Sequence, residues 1–297
     1  MFENLLTEQR NPASEGIDAL PTEQILRIIN AEDLKVAGSV TPEIPRIAEA
    51  VEAIVAAIRR GGRLFYIGAG TSGRLGVLDA AECPPTFSVP ADLVQAVIAG
   101  GPGAFAHSVE ATEDDPEAGA RDLLERGFSA NDVLVGIAAS GRTPYVLGAV
   151  AAARKLGAVT AGICCTPDSG LSKAVDIAIA PLPGPEILAG STRMKAGTAT
   201  KLVLNMISTA VMIRLGHVFG NLMVNVRPAN AKLIDRARRV IAAASGVDER
   251  RAAELLDAAG GSVRAAIVMA HLGVDRQEAE RRLEASGGRV SEVLPNG

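Results

Sequence analysis

A chain of 297 residues, 48% apolar and 22% charged, is long enough for one large domain, or a domain with a smaller partner, around a sizeable core. Aromatics reach only 3% and tryptophan is absent, so aliphatic side chains and alanine fill that core, and platforms for stacking bases or sugar rings are not expected. A net charge of −4 without a basic run excludes nucleic acid as a partner. No stretch of about 18 uncharged apolar residues marks a membrane span, and no basic-then-apolar leader follows Met1. Cys83, Cys164 and Cys165 make no disulfide framework and read as core residues. His107, His217 and His271 are too scattered for a metal site and read as surface or helix-end residues, so no metal is expected. A reducing cytoplasm is the expected compartment.

In chain order, residues 1–20 read as an irregular arm, and Pro21-Thr22-Glu23 opens a helix to about Asp33. Thr41-Pro42-Glu43 offers an N-cap, a first-turn proline and a first-turn acid. Ile44, Ile47, Val51, Ile54, Val55 and Ile58 follow at helical spacing until Gly61-Gly62. Strands are then expected at 63–67, 94–99, 133–138, 158–163 and 176–180. Helices are expected between them at 73–82, 103–110, 116–126, 144–156 and 169–174. That alternation predicts an α/β fold with a five-stranded parallel sheet covered on both faces. After the break at Pro181-Leu182-Pro183-Gly184-Pro185, residues 195–216 form a long apolar helix with hardly any polar face, expected to be buried between layers or subunits. Residues 229–297 read as a small helical domain, with Gly260-Gly261 and Gly273 separating three short helices and Arg236, Arg238 and Arg239 on a solvated face.

Two of the expected strands end in the same tripeptide. The first runs into Gly68-Ala69-Gly70-Thr71-Ser72-Gly73-Arg74, the third into Ser140-Gly141-Arg142-Thr143. Open α/β sheets bind ligands at the C-terminal ends of their strands, where glycine admits an anion close to the backbone and helix N–H groups point at it. Two such loops predict a grip on a phosphorylated small molecule. Gly68, Gly70 and Gly73 also match a dinucleotide spacing, but the next strand ends in Gly100-Gly101 where a ribose-binding acid is required. No Gly-Lys-Ser/Thr follows either loop, which excludes a P-loop.

Among acids, Glu82 stands in Asp79-Ala80-Ala81-Glu82-Cys83-Pro84-Pro85-Thr86, where two prolines are expected to stop the helix. A carboxylate at a helix C-terminus opposes the local dipole, which marks it as a functional candidate beside the plain reading of a surface glutamate. Glu110 and Glu113 precede Pro116, and either could sit beside the ligand.

The two loops, the Ala81–Thr86 segment and Gly190-Ser191-Thr192-Arg193-Met194-Lys195-Ala196-Gly197-Thr198 together closely resemble the N-acetylmuramic acid 6-phosphate etherases. Asn205-Met206, Gly220–Val224, Thr7–Asn11 and Ile29–Asp33 fit the same resemblance, which covers nearly the whole chain and loosens after residue 226. It implies a sugar isomerase (SIS) domain, a three-layer sandwich, over about residues 54–217. Residues 1–53 would be an arm with helices, and residues 218–297 a linker and helical domain. It implies cleavage of the lactyl ether of the phosphosugar to N-acetylglucosamine 6-phosphate and D-lactate, by a homodimer, with no metal or organic cofactor.

By the same resemblance Glu82 is the proton donor and Glu113 the second catalytic carboxylate. Ser72 and Ser140 bind phosphate, with Thr71, Gly73, Gly141 and Thr143 beside them, and Ser191 and Thr192 open the long helix against the sugar. Arg74 and Arg142 either reach phosphate or tie their loops to a helix. Rival readings are a phosphosugar-sensing regulator similar to the glucokinase regulatory protein, which is longer and has two such domains, and an aldose–ketose isomerase on the same fold.

Overall fold

The computed structural model describes residues 6–107, 112–226, 228 and 230–294. The chain packs into two compact units, one of residues 1–81 and 91–208, the other of residues 82–90 and 209–297.

The larger unit begins with short 3-10 turns, then helices α1 (Thr22–Asp33), α2 (Val36–Val40) and α3 (Ile44–Arg59). Because α2 already winds the chain, Thr41 adopts helical dihedrals and makes no side-chain cap, contrary to the expectation for Thr41-Pro42. The alternating region follows: β1 (Leu64–Gly68), α4 (Gly70–Phe87), β2 (Val94–Ile98), α5 (Pro116–Glu125), β3 (Val133–Ile137), α6 (Pro144–Lys155), β4 (Val159–Ile163), α7 (Gly170–Ala174) and β5 (Ile177–Ile179). All five expected strands are present and parallel, in the order β2-β1-β3-β4-β5. In place of a helix over 103–110 there is a 3-10 turn at Pro102–Phe105, and residues 108–111, Glu110 among them, lie outside the described residues.

The strands are buried on both faces, which is why they read as continuous apolar runs. Phe65, Ile67 and Leu134 pack with Leu123 of α5 and Val146, Ala149 and Val150 of α6 in one cluster. Tyr66 points the other way, and its Cβ would lie 3.1 Å from a Cβ added at Gly76 of α4. The chain leaves β1 toward β2 and returns on the opposite side at β3. The strand order therefore reverses between β1 and β3, where the loops of an open sheet part to leave a crevice.

Helix α4 does not stop at its prolines but runs to Phe87. Pro84 and Pro85 remove only the N–H groups that would reach the carbonyls of Ala80 and Ala81, and the bonding resumes with Ser88 N–H to Pro84 O at 2.9 Å. Glu82 thus lies inside the helix, a turn short of its end. Helix α8 (Lys195–Arg214) is long and apolar enough to cross a bilayer by length and composition. It is nonetheless a packed helix: Val203, Leu204, Ile207 and Val211 are buried, whereas Met206 and Ile213 are exposed in this chain.

The smaller unit adds an unanticipated antiparallel pair, β6 (Val218–Phe219) and β7 (Leu222–Met223). Among the described residues five helices follow instead of three: α9 (Ala231–Ser245), α10 (Glu249–Ala258), α11 (Val263–Leu272), α12 (Arg276–Ala285) and α13 (Val290–Val293). The extra breaks come at Gly246, a left-handed C-cap with φ 69°, and at the left-handed pair Gly287-Gly288. Side chains of Asn230, Asp248, Ser262 and Asp275 cap the next helix in each case. Ala237, Val240, Ile241, Leu256, Ile267 and Leu283 join in its core.

Candidate active site

Gly68 and Ile137 are register partners on neighbouring strands, so the two Ser-Gly-Arg loops leave the sheet side by side at the crevice. In the first, Gly70 takes φ +53° and the chain turns at once into α4. A Cβ at Gly73 would lie 2.6 Å from Gly68 O and 2.7 Å from Ile98 Cγ1, so only glycine lets the helix start this close to the strand. Thr71 and Ser72 are half-buried in that first turn, where unpaired N–H groups favour an anion.

In the second loop, Gly141 takes φ +64°, and a Cβ there would lie 2.2 Å from Ser169 Oγ. Ser140 Oγ accepts the Arg142 N–H at 3.3 Å, which leaves the hydroxyl proton free to donate outward. Thr143 Oγ1 donates to Glu113 Oε1 at 3.2 Å, and Tyr145 N donates to Glu113 O at 3.1 Å, so the sequence-expected Glu113 is brought against this loop.

The arginines part company. Arg74 donates to Phe105 O at 3.0 Å and His107 O at 3.2 Å, tying α4 to the loop after β2. Arg142 is exposed and lines a small cavity of about 240 Å³ with Thr166–Gly170.

A third loop carries Ser191 and Thr192, both half-buried. They precede α8 without opening it. The carboxylate of Glu186 instead takes the Lys195 and Ala196 N–H groups at 2.8 and 3.0 Å. Thr192 O accepts Gly197 N–H at 2.9 Å, and a Cβ on Gly197 would lie 3.6 Å from Thr71 Cγ2, so this loop meets the first one. Beneath it lies a buried charged cluster. Lys195 Nζ donates to Glu32 Oε2 at 2.7 Å and to Pro185 O at 3.1 Å, and Asn11 Nδ2 donates to the same two acceptors at 3.0 and 3.1 Å. Burial pushes the Glu32 carboxyl up, but Lys195, Lys35 and Asn11 outweigh it and hold it down at about 2. Burial pushes Glu186 above the usual carboxylate range despite its two N–H donors.

A separate buried carboxylate, Asp79, accepts from Tyr66 Oη at 2.9 Å, Ser208 Oγ at 3.0 Å and Asn205 Nδ2 at 3.1 Å, and burial raises it. Sequence reasoning did not single out Asn11, Glu32, Asp79 or Lys195. A lysine at the positive end of an apolar helix was the one available signal.

Glu82 belongs to the smaller unit and is exposed. It lines a cavity of about 630 Å³ made entirely by that unit, with Pro84, Pro85 and Thr86 on one side and Lys232 and Arg236 of α9 on the other. Arg236 is half-buried there, not on a solvated face, whereas Arg239 pairs outward with Asp235 at 2.7 Å. The cysteines are free and buried, and burial pushes the Cys165 thiol up to about 12, which leaves it inert. His217 follows the end of α8, and burial pushes it down to about 4. Among the described residues, no group of three or more His, Cys, Asp or Glu is placed to hold a metal ion.

Residues 46–154 match the family model of the glucokinase regulatory protein N-terminal SIS domain. A protein of Aeromonas hydrophila named N-acetylmuramic acid 6-phosphate etherase is 56% identical over 266 residues, 90% of this chain and 89% of that one. A protein of the same name from Photorhabdus laumondii is 54% identical over 90% of this chain and 88% of its own. The chain belongs to the N-acetylmuramic acid 6-phosphate etherase family. Among solved structures, a putative phosphosugar isomerase from Bacteroides fragilis is 22% identical with a TM-score of 0.51, covering 66% of this chain and 94% of that one. Phosphoheptose isomerase from Neisseria gonorrhoeae is 17% identical with a TM-score of 0.50, covering 64% and 99%. At such identities the likeness is one of fold alone. The etherase motifs in this chain coincide with structural joints: Thr7–Asn11 and Ile29–Asp33 supply Asn11 and Glu32 to the buried cluster, and Asn205 supplies a donor to Asp79.

Proposed function

We propose that this protein cleaves the D-lactyl ether of N-acetylmuramic acid 6-phosphate, giving N-acetylglucosamine 6-phosphate and D-lactate in recycling of cell-wall sugar. The observation that carries the reading is the Thr143–Glu113 hydrogen bond, which sets an acid against one of two glycine-built anion loops at the strand-order reversal. Such a pairing suits a substrate that is both phosphorylated and in need of proton transfer.

In the open-chain sugar the C1 aldehyde acidifies the C2 proton. A carboxylate removes it, the C3–O bond breaks, and the departing lactate oxygen takes a proton from an acid. The resulting C2=C3 double bond, conjugated with the aldehyde, then adds water, its oxygen at C3 and a proton at C2. Glu82 serves as the proton donor and Glu113 as the second carboxylate, and their roles reverse for hydration. Ser72 and Ser140 bind the 6-phosphate with Thr71, Gly73, Gly141 and Thr143, and Ser191 and Thr192 contact the sugar. The loops hold C2 and C3 in reach and do no chemistry.

The enzyme works as a cytoplasmic homodimer. Free buried cysteines suit a reducing compartment, and exposed Leu26, Leu34, Ile44, Leu78 and Met206 on the larger unit offer a second copy apolar surface.

Purified protein is expected to release D-lactate from the substrate without added metal. Glu82→Gln is expected to lower kcat by roughly 10²- to 10⁴-fold while Kd changes little. Tight binding with no lactate release by the wild-type protein would favour the phosphosugar-sensing reading instead, and full activity of the variant would remove Glu82 from the mechanism.

A further inference from the structure

The segment that carries Glu82 is weakly held by its own helix. Pro84 and Pro85 supply no N–H to the carbonyls of Ala80 and Ala81, so the last turn of α4 lacks two of its helical bonds. Just past its end Ser88 is left-handed, with φ 51°, a strain that persists in a non-glycine residue only where the surroundings impose it. The other stretch of the smaller unit supplies a hold. Asn225 Nδ2 donates to Phe87 O at 2.6 Å. Phe87 lies between Thr86 and Ser88, and Asn225 lies between Met223 and Val226. Those four neighbours line the cavity of Glu82 from the two stretches of chain. One hydrogen bond thus ties one wall of that cavity to the other.

Chemistry fixes which way the amide points. A carbonyl only accepts, so the Asn225 nitrogen, not its oxygen, faces Phe87 O. Its second proton points at His217 Nδ1, 2.9 Å away. That ring nitrogen must therefore accept, which makes His217 neutral with its proton on Nε2. Burial, joined by the charge of Arg264 on α11, holds His217 down at about 4, in keeping with that state. The His217 backbone is held on both sides. Its N–H donates to Met212 O near the end of α8 at 3.0 Å, and its carbonyl accepts Val224 N–H at 3.2 Å beside the β6–β7 hairpin. Asn225 is therefore aimed at Phe87 by a ring that is itself fixed.

We propose that Asn225, oriented by neutral His217, is a positioning residue for the Glu82 proton donor. This rests on the etherase reading. A general acid works only within hydrogen-bond reach of the atom it protonates, here the ether oxygen on C3. Without the bond to Phe87 O the wall that bears Glu82 is free to shift, and a displacement of about 1 Å is enough to cost on the order of 100-fold in rate.

A leaving group that needs no proton separates positioning from folding. In an analogue with chloride in place of lactate on C3, a carboxylate removes the C2 proton, the C3–Cl bond breaks and chloride departs with the electron pair. The product is the same unsaturated aldehyde, so single-turnover release with enzyme in excess reads elimination alone, ahead of hydration. Asn225→Ala is expected to slow lactate release about 10-fold and chloride release by less than about threefold. Asn225→Asp sets an acceptor against Phe87 O and is expected to slow lactate release further. His217→Phe removes the ring acceptor and is expected to slow lactate release about threefold, and His217→Gln, which supplies an acceptor, to recover part of that loss. Glu82→Gln sets the scale and should show the same selectivity with a larger factor. Partial unfolding lowers both rates alike and leaves their ratio unchanged. A ratio unchanged in Asn225→Ala would overturn the positioning role and leave the etherase reading standing. A wild-type enzyme that releases no lactate would fail the etherase reading and this inference with it.

Discussion

The loops after β1 and β3 and the loop before α8 are held in opposite ways. The first two are held by missing atoms: Gly73 sits against Gly68 O, and Gly141 against Ser169. The third is held by buried ions, Glu32 with Lys195 and Glu186 with two backbone N–H groups. A glycine-built loop is rigid at any pH and intolerant of any side chain. An ion-built loop accepts side chains but depends on protonation. Even the two glycine loops differ, because Ser72-Gly73-Arg74 is already helical whereas Ser140-Gly141-Arg142 precedes its helix with Gly141 left-handed.

The largest expected effect breaks the ion-built loop. Glu32→Gln strands Lys195 in the interior and is expected to cost about 3–5 kcal/mol at pH 7, read from urea midpoints. The Glu32 carboxyl is held at about 2, below the ordinary glutamate value of 4.5, so its contribution is fully present above pH 4.5 and is lost as pH falls toward 2. The gap between wild type and Glu32→Gln should therefore narrow across that window, and a gap independent of pH would argue that packing alone holds the loop.

Gly73→Ala is expected to cost up to about 3 kcal/mol, since its Cβ would meet a backbone carbonyl that cannot move aside. Trimming Ile98 to Ala should not rescue it. Gly141→Ala should cost about 2 kcal/mol from left-handed strain and the clash with Ser169, and Ser169→Gly should recover part of that loss. Full rescue would mean that the clash, not the backbone angle, dictates the glycine.

Ser72→Ala and Ser140→Ala are each expected to raise KM about 10-fold, the loss of one hydrogen bond to a charged group. A large effect at one serine alone would show that the paired loops share the phosphate unequally. Arg74→Ala should lower stability by only about 1 kcal/mol and speed amide exchange near residues 102–107, with the salt dependence of substrate binding unchanged. A weakened salt dependence would return Arg74 to the phosphate.

Much of the larger unit was legible because parallel strands buried on both faces leave unbroken apolar runs such as Val133–Ile137, and Gly68, Gly70 and Gly73 mark a tight strand-to-helix turn. The run of α4 through Pro84 and Pro85 was not legible. The local rule penalises proline inside a helix, but here it costs two acceptors near the end of an element that packing sustains. The partners of a buried charge were equally hidden, since Glu32 and Lys195 are 163 residues apart and each alone looks like a surface residue. Arg236 and Arg238 are neighbours in an alternating charged pattern, and only tertiary structure turns one into the cavity and the other to solvent. The extra helices of the tail were missed at Gly246 because a lone glycine within an alanine-rich run is also tolerated inside a helix.

The smaller unit is assembled from two stretches of chain, residues 82–90 and 209–297. Asn225 Nδ2 donates to Phe87 O at 2.6 Å, and the Phe87 ring lies 6.5 Å from that of His217, so the early stretch is packed by the late one. During synthesis the strand-bearing residues 91–208 emerge between them, an interval of roughly 10 seconds at ribosomal rates of 5–20 residues per second. For that time Glu82, Phe87 and Val89 wait without their partners, while the larger unit gains β2, β3, β4 and β5 in turn. A nascent chain stalled before residue 209 should therefore hold a completed sheet and an unfinished cavity. A deletion of the C-terminal helices would leave the same uncovered segment in the middle of the remaining protein.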